Sequence, residues 1–263
     1  MGENPKITLG LYTSDYTCAS FGPNILQIGV RLAEAGMFGG MIWVTSCRVD
    51  SNRNYLIHDF LNESDGDFLF IVDEDMIHPD NMPIILASRN KPIISGLYFR
   101  RDEQARFHPQ LYKFKGKGVE TRRGHGSATN WEFRDMLPEV RDYLEKLGMP
   151  AEAAVDGPMV ITRQDGTPHD GGVMRMDASG FGCLLLRRDA LEQMEPPYLI
   201  TEPALNGDLV FFKQAKQKGI ECWADCSIIA AHIHKHGLGL KSFVDYTWRL
   251  EEDLRVRAVV VNA

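Results

Sequence analysis

Short apolar runs separated by polar, helix-patterned segments set the rhythm of the first hundred residues. Lys6–Thr13, Met41–Thr45, Phe68–Val72 and Lys91–Tyr98 each read as a strand. Between them, Asn24–Ala35 and roughly Arg53–Asn62 carry apolar residues near helical spacing, and a further helix opens near Pro79-Asp80. Apolar runs with polar punctuation at both ends suit strands buried on both faces of a parallel sheet. The alternation therefore predicts an α/β fold, a mostly parallel central sheet flanked by helices.

The rhythm lapses from Arg100 to about Val155 and returns in a helix around Pro138–Leu147. Beyond Asp156-Gly157-Pro158, Met159–Arg163 and Val173–Asp177 predict a small antiparallel hairpin turning near Asp165-Gly166. A glycine-rich turn, Asp177–Gly182, then runs into a strand, and a helix follows at Arg188–Met194. Asn206-Gly207-Asp208 opens a helix through Lys218 that Gly219 stops. Strands at Ile220–Asp225 and Ile228–Ile233 and an amphipathic helix from Leu240 complete the chain. With no internal repeat, the expectation is one domain over 1–263. It carries a basic insertion around 100–155 and a helical tail around 240–263.

A hydrophobic content of 44% and a charged content of 25% over 263 residues support a sizeable core. The net charge of −7 provides no overall basic field to draw the chain to nucleic acid or anionic lipid. No apolar run approaches the ~20 residues of a membrane span. The first residues lack the charged-then-apolar pattern of a secretion signal, so a cytoplasmic location is expected. Local charge differs. Arg100, Arg101, Arg106, Lys113, Lys115, Lys117, Arg122 and Arg123 outnumber nearby acids and alternate with Tyr98, Phe99, Phe107, Tyr112 and Phe114. Such a segment could contact nucleic acid through Arg100–Arg123, or form a solvated loop over the sheet edge.

Five scattered cysteines do not make a disulfide framework. Cys222 and Cys226, followed by His232, His234 and His236, raise a zinc site. Yet Ile220–Cys226 reads as a strand with both thiols on one face, which favours buried free thiols.

The candidate chemistry centres on Asp73-Glu74-Asp75, where the apolar run Phe68–Val72 ends in three acids. Ligands of open α/β sheets sit beyond the carboxyl ends of strands. An extended tip would point Asp73 and Asp75 the same way. Hard oxygen donors there suit Mg²⁺ or Mn²⁺ held partly by substrate phosphates.

The order of elements resembles glycosyltransferases of the GT-A fold, in particular the family 2-like group with small virus-encoded enzymes. The residues that carry the resemblance are Asp73-Glu74-Asp75, Ser95-Gly96-Leu97-Tyr98, Ser179-Gly180-Phe181-Gly182, Gly207-Asp208 and Ala231-His232, with Arg53-Asn54 ahead of the acidic strand. It spans about Ile7 to His236. The resemblance implies a metal-dependent transfer of sugar from a nucleotide-diphosphate sugar, a UDP-sugar foremost, to an acceptor hydroxyl with inversion. It assigns Asp75, Asp73 and His232 to the metal, with Asp73 also reaching the ribose. Asp208 would be the catalytic base, with Glu202 as the second candidate, since relatives carry Glu-Asp where this chain has Gly207-Asp208. Gly180 and Gly182 would admit the sugar or acceptor, and Thr13, Thr45 and Arg53 would lie near the nucleotide. The acceptor stays open between a glycan, a small molecule and modified DNA bases. Two other functions are compatible with such a core: a sugar nucleotidyltransferase, and a non-catalytic nucleotide-sugar or carbohydrate-binding protein. Against the first, the loop after the first strand, Ser14–Phe21, has no glycine or basic residue to grip a triphosphate.

Overall fold

The computed structural model describes residues 4–13, 19–45, 49–101, 107–121, 127–147, 157–201 and 206–233. Its strands and helices are, in chain order, β1 Ile7–Thr13, α1 Phe21–Glu34, β2 Phe38–Thr45, α2 Val49–Glu63, β3 Phe68–Val72, β4 Met76–Ile77 and α3 Met82–Ser88. There follow β5 Ile93–Leu97, β6 Phe99–Arg101, β7 Phe107–Pro109, β8 Leu111–Thr121, β9 Ser127–Asp135 and α4 Leu137–Leu147. Then come β10 Met159–Val160, β11 Val173–Met176, β12 Ala178–Ser179, β13 Cys183–Arg187, α5 Arg188–Leu191, α6 Gly207–Gln217, β14 Cys222–Ile229 and β15 Ala231–His232.

The main sheet has the order β10-β14-β5-β13-β3-β1-β2, with β11 also on β14. β1 pairs in parallel with β2 and β3, and β14 with β5. β13 is wedged antiparallel between β3 and β5, and β10 and β11 lie antiparallel on β14. The central sheet is thus largely parallel, and the expectation of a mostly parallel sheet is met in part, with β13, β10 and β11 running antiparallel. The expected orientation survives in β2, β1, β3, β5 and β14, which all run one way.

Each central strand feeds two cores, as side-chain alternation requires. From β3, Leu69 and Ile71 pack with Leu56 and Phe60 of α2 and Phe211 and Phe212 of α6. Phe68, Phe70 and Val72 pack on the other face with Ile25 and Ile28 of α1 and Met82 and Leu86 of α3. Burying both faces is what the unbroken apolar run Phe68–Val72 is for. No helix among the described residues is long and apolar enough to cross a membrane.

Two expectations are corrected. The segment after Arg100 is not a loop: β8 and β9 form a long antiparallel hairpin, joined by β12. Aromatic and basic residues alternate over Tyr112–Lys115, a strand period that glycines and a register shift between Phe114 and Gly116 interrupt. The chain does turn near Asp165-Gly166, with Arg163 N–H donating to the Thr167 carbonyl at 2.8 Å. Around that turn Thr162 and Pro168 form an antiparallel bridge, but the flanking strands β10 and β11 both pair with β14 instead of each other.

Candidate active site

The common direction of the main strands brings the carboxyl ends of β1, β2, β3 and β5 and the far end of β14 to one edge of the sheet. The start of the antiparallel β13, with Gly180–Gly182 before it, lies at the same edge. Asp73, Asp75, His232, Asp208, Arg53, Thr13, Thr45, Gly180 and Gly182 gather there.

After β3 the chain turns rather than extending: Met76 N–H donates to the Asp73 carbonyl at 3.2 Å. The two carboxylates therefore meet different partners instead of pointing together. Asp75 belongs to a small zipper in which β4 pairs with β15 and His232 stands opposite Met76. Ile233 N–H closes it on the Asp75 carbonyl at 2.6 Å. The register sets His232 Nε2 2.9 Å from Asp75 Oδ2. Burial alone would raise the Asp75 carboxyl, but the His232 hydrogen bond and charge hold it below the ordinary range. Burial opposes charge on His232, yet Asp75 keeps its proton affinity above the ordinary imidazole value.

Asp73 turns instead to Arg53, whose Nη2 donates to both of its carboxylate oxygens at 3.1 Å and to the Tyr12 hydroxyl at 3.1 Å. Arg53 Nη1 donates to Asp208 Oδ1. Arg53 is 5% exposed, and its guanidinium lies 5.2 Å from the Tyr12 ring centre and 4.8 Å from that of Phe181. Burial disfavours its charge, but Asp73 and Asp208 keep it firmly protonated. One cation thus ties the β3 acid to the α6 acid. Its neighbour Asn54 faces the other way. Its side chain accepts from Tyr198 N–H at 2.7 Å and Leu199 N–H at 3.1 Å and donates to the Leu199 carbonyl at 2.6 Å. The Arg53-Asn54 pair therefore fixes the acids with one side chain and the approach to α6 with the other.

Asp208 stands in the first turn of α6, but Asn206 caps that helix, its Oδ1 accepting from Leu209 N–H at 3.0 Å. The Asp208 carboxylate is free of capping and reaches the site. Burial pushes its carboxyl up to about 6, with Asp73 and Asp50 adding to the rise and Arg53 opposing it. Asp50, which accepts from the Thr201 hydroxyl, fills the space beside Gly207 so completely that a Cβ there would collide with it. A third carboxylate therefore flanks Asp208, and Gly207 is what makes room for it.

No protein-family model matches the chain, and no curated protein matches it in sequence. Among solved structures, it is similar to A197 from STIV, 15% identical over 89% of each chain with a TM-score of 0.51. It is more remotely similar to GalNAc-T7 solved with UDP, GalNAc and Mn²⁺, at 9% identity and a TM-score of 0.49. That match covers 88% of this chain but 43% of GalNAc-T7, so the chain spans less than half of that protein. The likeness to A197 shows a shared mixed α/β fold. The second is too distant to add to it.

Gly180 and Gly182 pack against Tyr98. A Cβ at Gly180 would collide with the Tyr98 hydroxyl, and Gly182 N–H donates to that hydroxyl at 3.3 Å. The Tyr98 ring in turn meets His232 edge-on, centres 6.2 Å apart. These glycines thus seat a buried tyrosine under the Asp75–His232 pair. Thr13 accepts from Trp43 Nε1 at 2.9 Å, and Thr45, its register partner, is exposed at the end of β2.

Sequence reasoning gave no site role to Tyr12, Tyr98, Asp50 or His78. His78 is buried, bonds the Gly182 carbonyl through Nε2 at 2.7 Å, and burial pushes it down to about 4, so it is neutral. Only Asp50, three residues before Arg53 on the same helix face, left a readable signal.

Among the described residues no group of three His, Cys, Asp or Glu is close enough to hold a metal by itself. Asp75 and His232 supply two converging donors, which fits a cation completed by substrate oxygens and water. Cys222 and Cys226 are buried free thiols. Glu202, His234, His236, the tail from 240, and Arg106, Arg122 and Arg123 of the basic segment lie outside the described residues. Lys113 Nζ is spent on the Arg175 carbonyl at 2.6 Å.

Proposed function

We propose that the chain is a glycosyltransferase of the GT-A type, one catalytic domain that moves a sugar from a nucleotide diphosphate to an acceptor hydroxyl. One observation carries the reading. At the carboxyl edge of the sheet, Asp75 with His232 and Asp73 with Asp208, tied through Arg53, form two acid centres from four separate segments.

The chemistry divides between them. Asp208, with its raised proton affinity, takes the proton of the acceptor hydroxyl as that oxygen attacks the anomeric carbon from the side opposite the diphosphate. The bond from anomeric carbon to phosphate oxygen breaks, and the nucleoside diphosphate departs, inverting the configuration. Arg53 fixes the direction of the Asp208 carboxylate and holds Asp73 for the donor's ribose. Asp75 and His232 would hold Mn²⁺ or Mg²⁺, which stabilises the charge growing on the diphosphate. Imidazole in that pair favours Mn²⁺. Thr13 and Thr45, at the ends of β1 and β2, would border the nucleotide.

The test is a thermal-shift series with UDP-, GDP-, CDP- and dTDP-sugars, each with Mn²⁺, Mg²⁺ or EDTA. A ligand at ~100 times its Kd stabilises by about 2.7 kcal/mol. The expected result is a shift for one nucleotide class, with UDP first, that EDTA and Asp75→Ala both abolish. A folded protein that shifts with no nucleotide sugar, or whose Asp75→Ala variant shifts like wild type, would overturn the proposal.

A further inference from the structure

Away from the acid cluster, one edge of the main sheet is left open. β2 ends the strand order, and among the described residues no strand pairs with its outer edge. Such edges are normally blunted by lysine, proline or an inward charge. No residue from Phe38 to Thr45 is charged or a proline. The irregularity of β2 is a register shift against β1 at Gly39-Gly40, with Gly40 at φ +113°. It lies near the amino end and leaves Met41–Thr45 regular.

The shift sorts the side chains. Phe38 stands beside Ile7, Met41 beside Leu9 and Trp43 beside Leu11, so all three lie on the sheet face that carries α1. Without the extra residue, Phe38 and Met41 would fall on opposite faces. Ile42 and Val44 turn the other way, against the core that α2 covers.

α1 extends this surface. It buries Phe21, Ile25, Ile28 and Leu32, and on one flank Arg31 reaches Asp80 at 2.8 Å, towards α3. α3 packs on β5 and β13, so the other flank of α1 faces the β2 edge, and α1 also touches β2. Leu26 lies on that flank with Gly22 and Gly29, where a Cβ would meet nothing within 4 Å. Leu26, Phe38, Met41 and Trp43 are 40–69% exposed. Together they offer roughly 400 Å² of apolar side chain, about half of the ~800 Å² per partner that a stable dimer buries. The open backbone edge of β2 and the glycine-lined flank of α1 supply the remainder.

We infer that this edge is the interface of a symmetric homodimer, in which β2 pairs antiparallel with β2 of a second copy about Trp43 and the two α1 flanks close over the seam. A second copy is the occupant that the charges select. Pairing about Trp43 sets Met41 against Thr45 and Ile42 against Val44, so no charge faces another across the ladder. Two copies of a chain with net charge −7 repel each other, but β2 carries none of that charge into the seam. A charged partner finds nothing on β2 to pair with. Strand direction reverses at the seam, so the two acid clusters open on opposite sides of the dimer. Dimerisation in this form does not depend on what those clusters catalyse.

The experiment is sedimentation equilibrium of the full chain at about 1–100 µM. Wild type is compared with Trp43→Glu, Leu26→Glu and Tyr55→Glu, with circular dichroism to verify folding. Tyr55 is an exposed aromatic of α2 beside Tyr198, on the opposite face of the sheet. The expected result is a wild-type dimer whose Kd rises about 100-fold in Trp43→Glu and about tenfold or more in Leu26→Glu, and stays unchanged in Tyr55→Glu. Should Trp43→Glu fail to fold, Leu26→Glu, at an exposed helix position, decides alone. A wild-type chain that stays monomeric up to about 100 µM would overturn the inference. So would a dimer equally tight in both seam variants, since its contact would lie elsewhere. Monomeric wild type that binds vesicles of neutral phosphatidylcholine, and loses that binding in Trp43→Glu, would overturn it in favour of a lipid surface.

Discussion

Two charged clusters sit at opposite edges of the same sheet, and they differ in how their charges are balanced. At the far edge a cleft of about 370 Å³ gathers Lys113, Arg175, Asp177, Lys216 and Glu221 around the start of β14. There each charge has its own answer. Arg175 pairs with Glu221 and Lys216 with Asp177, each at 2.6 Å; the first pair faces solvent and the second is half-buried. At the carboxyl edge a single buried guanidinium serves two carboxylates, with a third, Asp50, pressing beside them. Solvated one-to-one pairs merely keep a surface soluble. A shortage of positive charge in a shielded cleft leaves acids that shift their proton affinity and can take up a cation or a proton. Charge balance and burial, rather than the number of charged residues, distinguish the two.

The sharpest break in that comparison is at Asp208. Asp208→Asn should lower transfer by about 10²–10⁴-fold, the usual weight of a general base. In wild type, kcat/KM should rise with pH through about 6, because below that value the carboxyl carries the proton it must accept. A flat profile across that range, or an active Asp208→Asn variant, would remove Asp208 from the role.

Next comes the pair Arg53→Ala and Arg175→Ala, which removes one cation from each edge. Loss of Arg53 leaves two shielded carboxylates without their counter-charge and should cost about 3–5 kcal/mol in urea unfolding. Loss of Arg175, whose pair is open to solvent, should cost less than about 1 kcal/mol. Equal costs would show that the two edges do not differ in the way their burial implies.

The smallest effect tests the packing beneath the site. Gly180→Ala forces a methyl into the Tyr98 hydroxyl and should cost about 1–3 kcal/mol. Pairing it with Tyr98→Phe, which removes the obstructing oxygen, should recover part of that cost. A Gly180→Ala protein as stable as wild type would show that Tyr98 is not held there by the glycine turn.

Much of the site could be read locally, because local pattern encodes it. The apolar run Phe68–Val72 ending in acids places Asp73 and Asp75 at a strand tip, and Asn206-Gly207-Asp208 places Asp208 at a helix start. The periods of 2 and 3.6 residues that bury one face or two are properties of a few neighbouring side chains. The same logic marks β8 through the alternation of Tyr112 and Phe114 with lysines, but glycines and charges interrupt the period there. The parallel character of the sheet was legible only in part, since nothing local says that Cys183–Arg187 inserts antiparallel between β3 and β5.

The chain by itself thus determined which segments would be strands and helices and which acids would stand at their ends. The tertiary structure decided who meets whom. Asp75 and His232 lie 157 positions apart, and Arg53 and Asp208 lie 155 apart. The first pair depends on the two-residue register of β4 on β15, and the second on α2 and α6 sharing one face of the sheet. Assigning Asp73 to Arg53 rather than to a shared tip with Asp75 depends on the turn that follows β3. Such choices are made by the packing of the whole core, which no stretch of neighbouring residues contains.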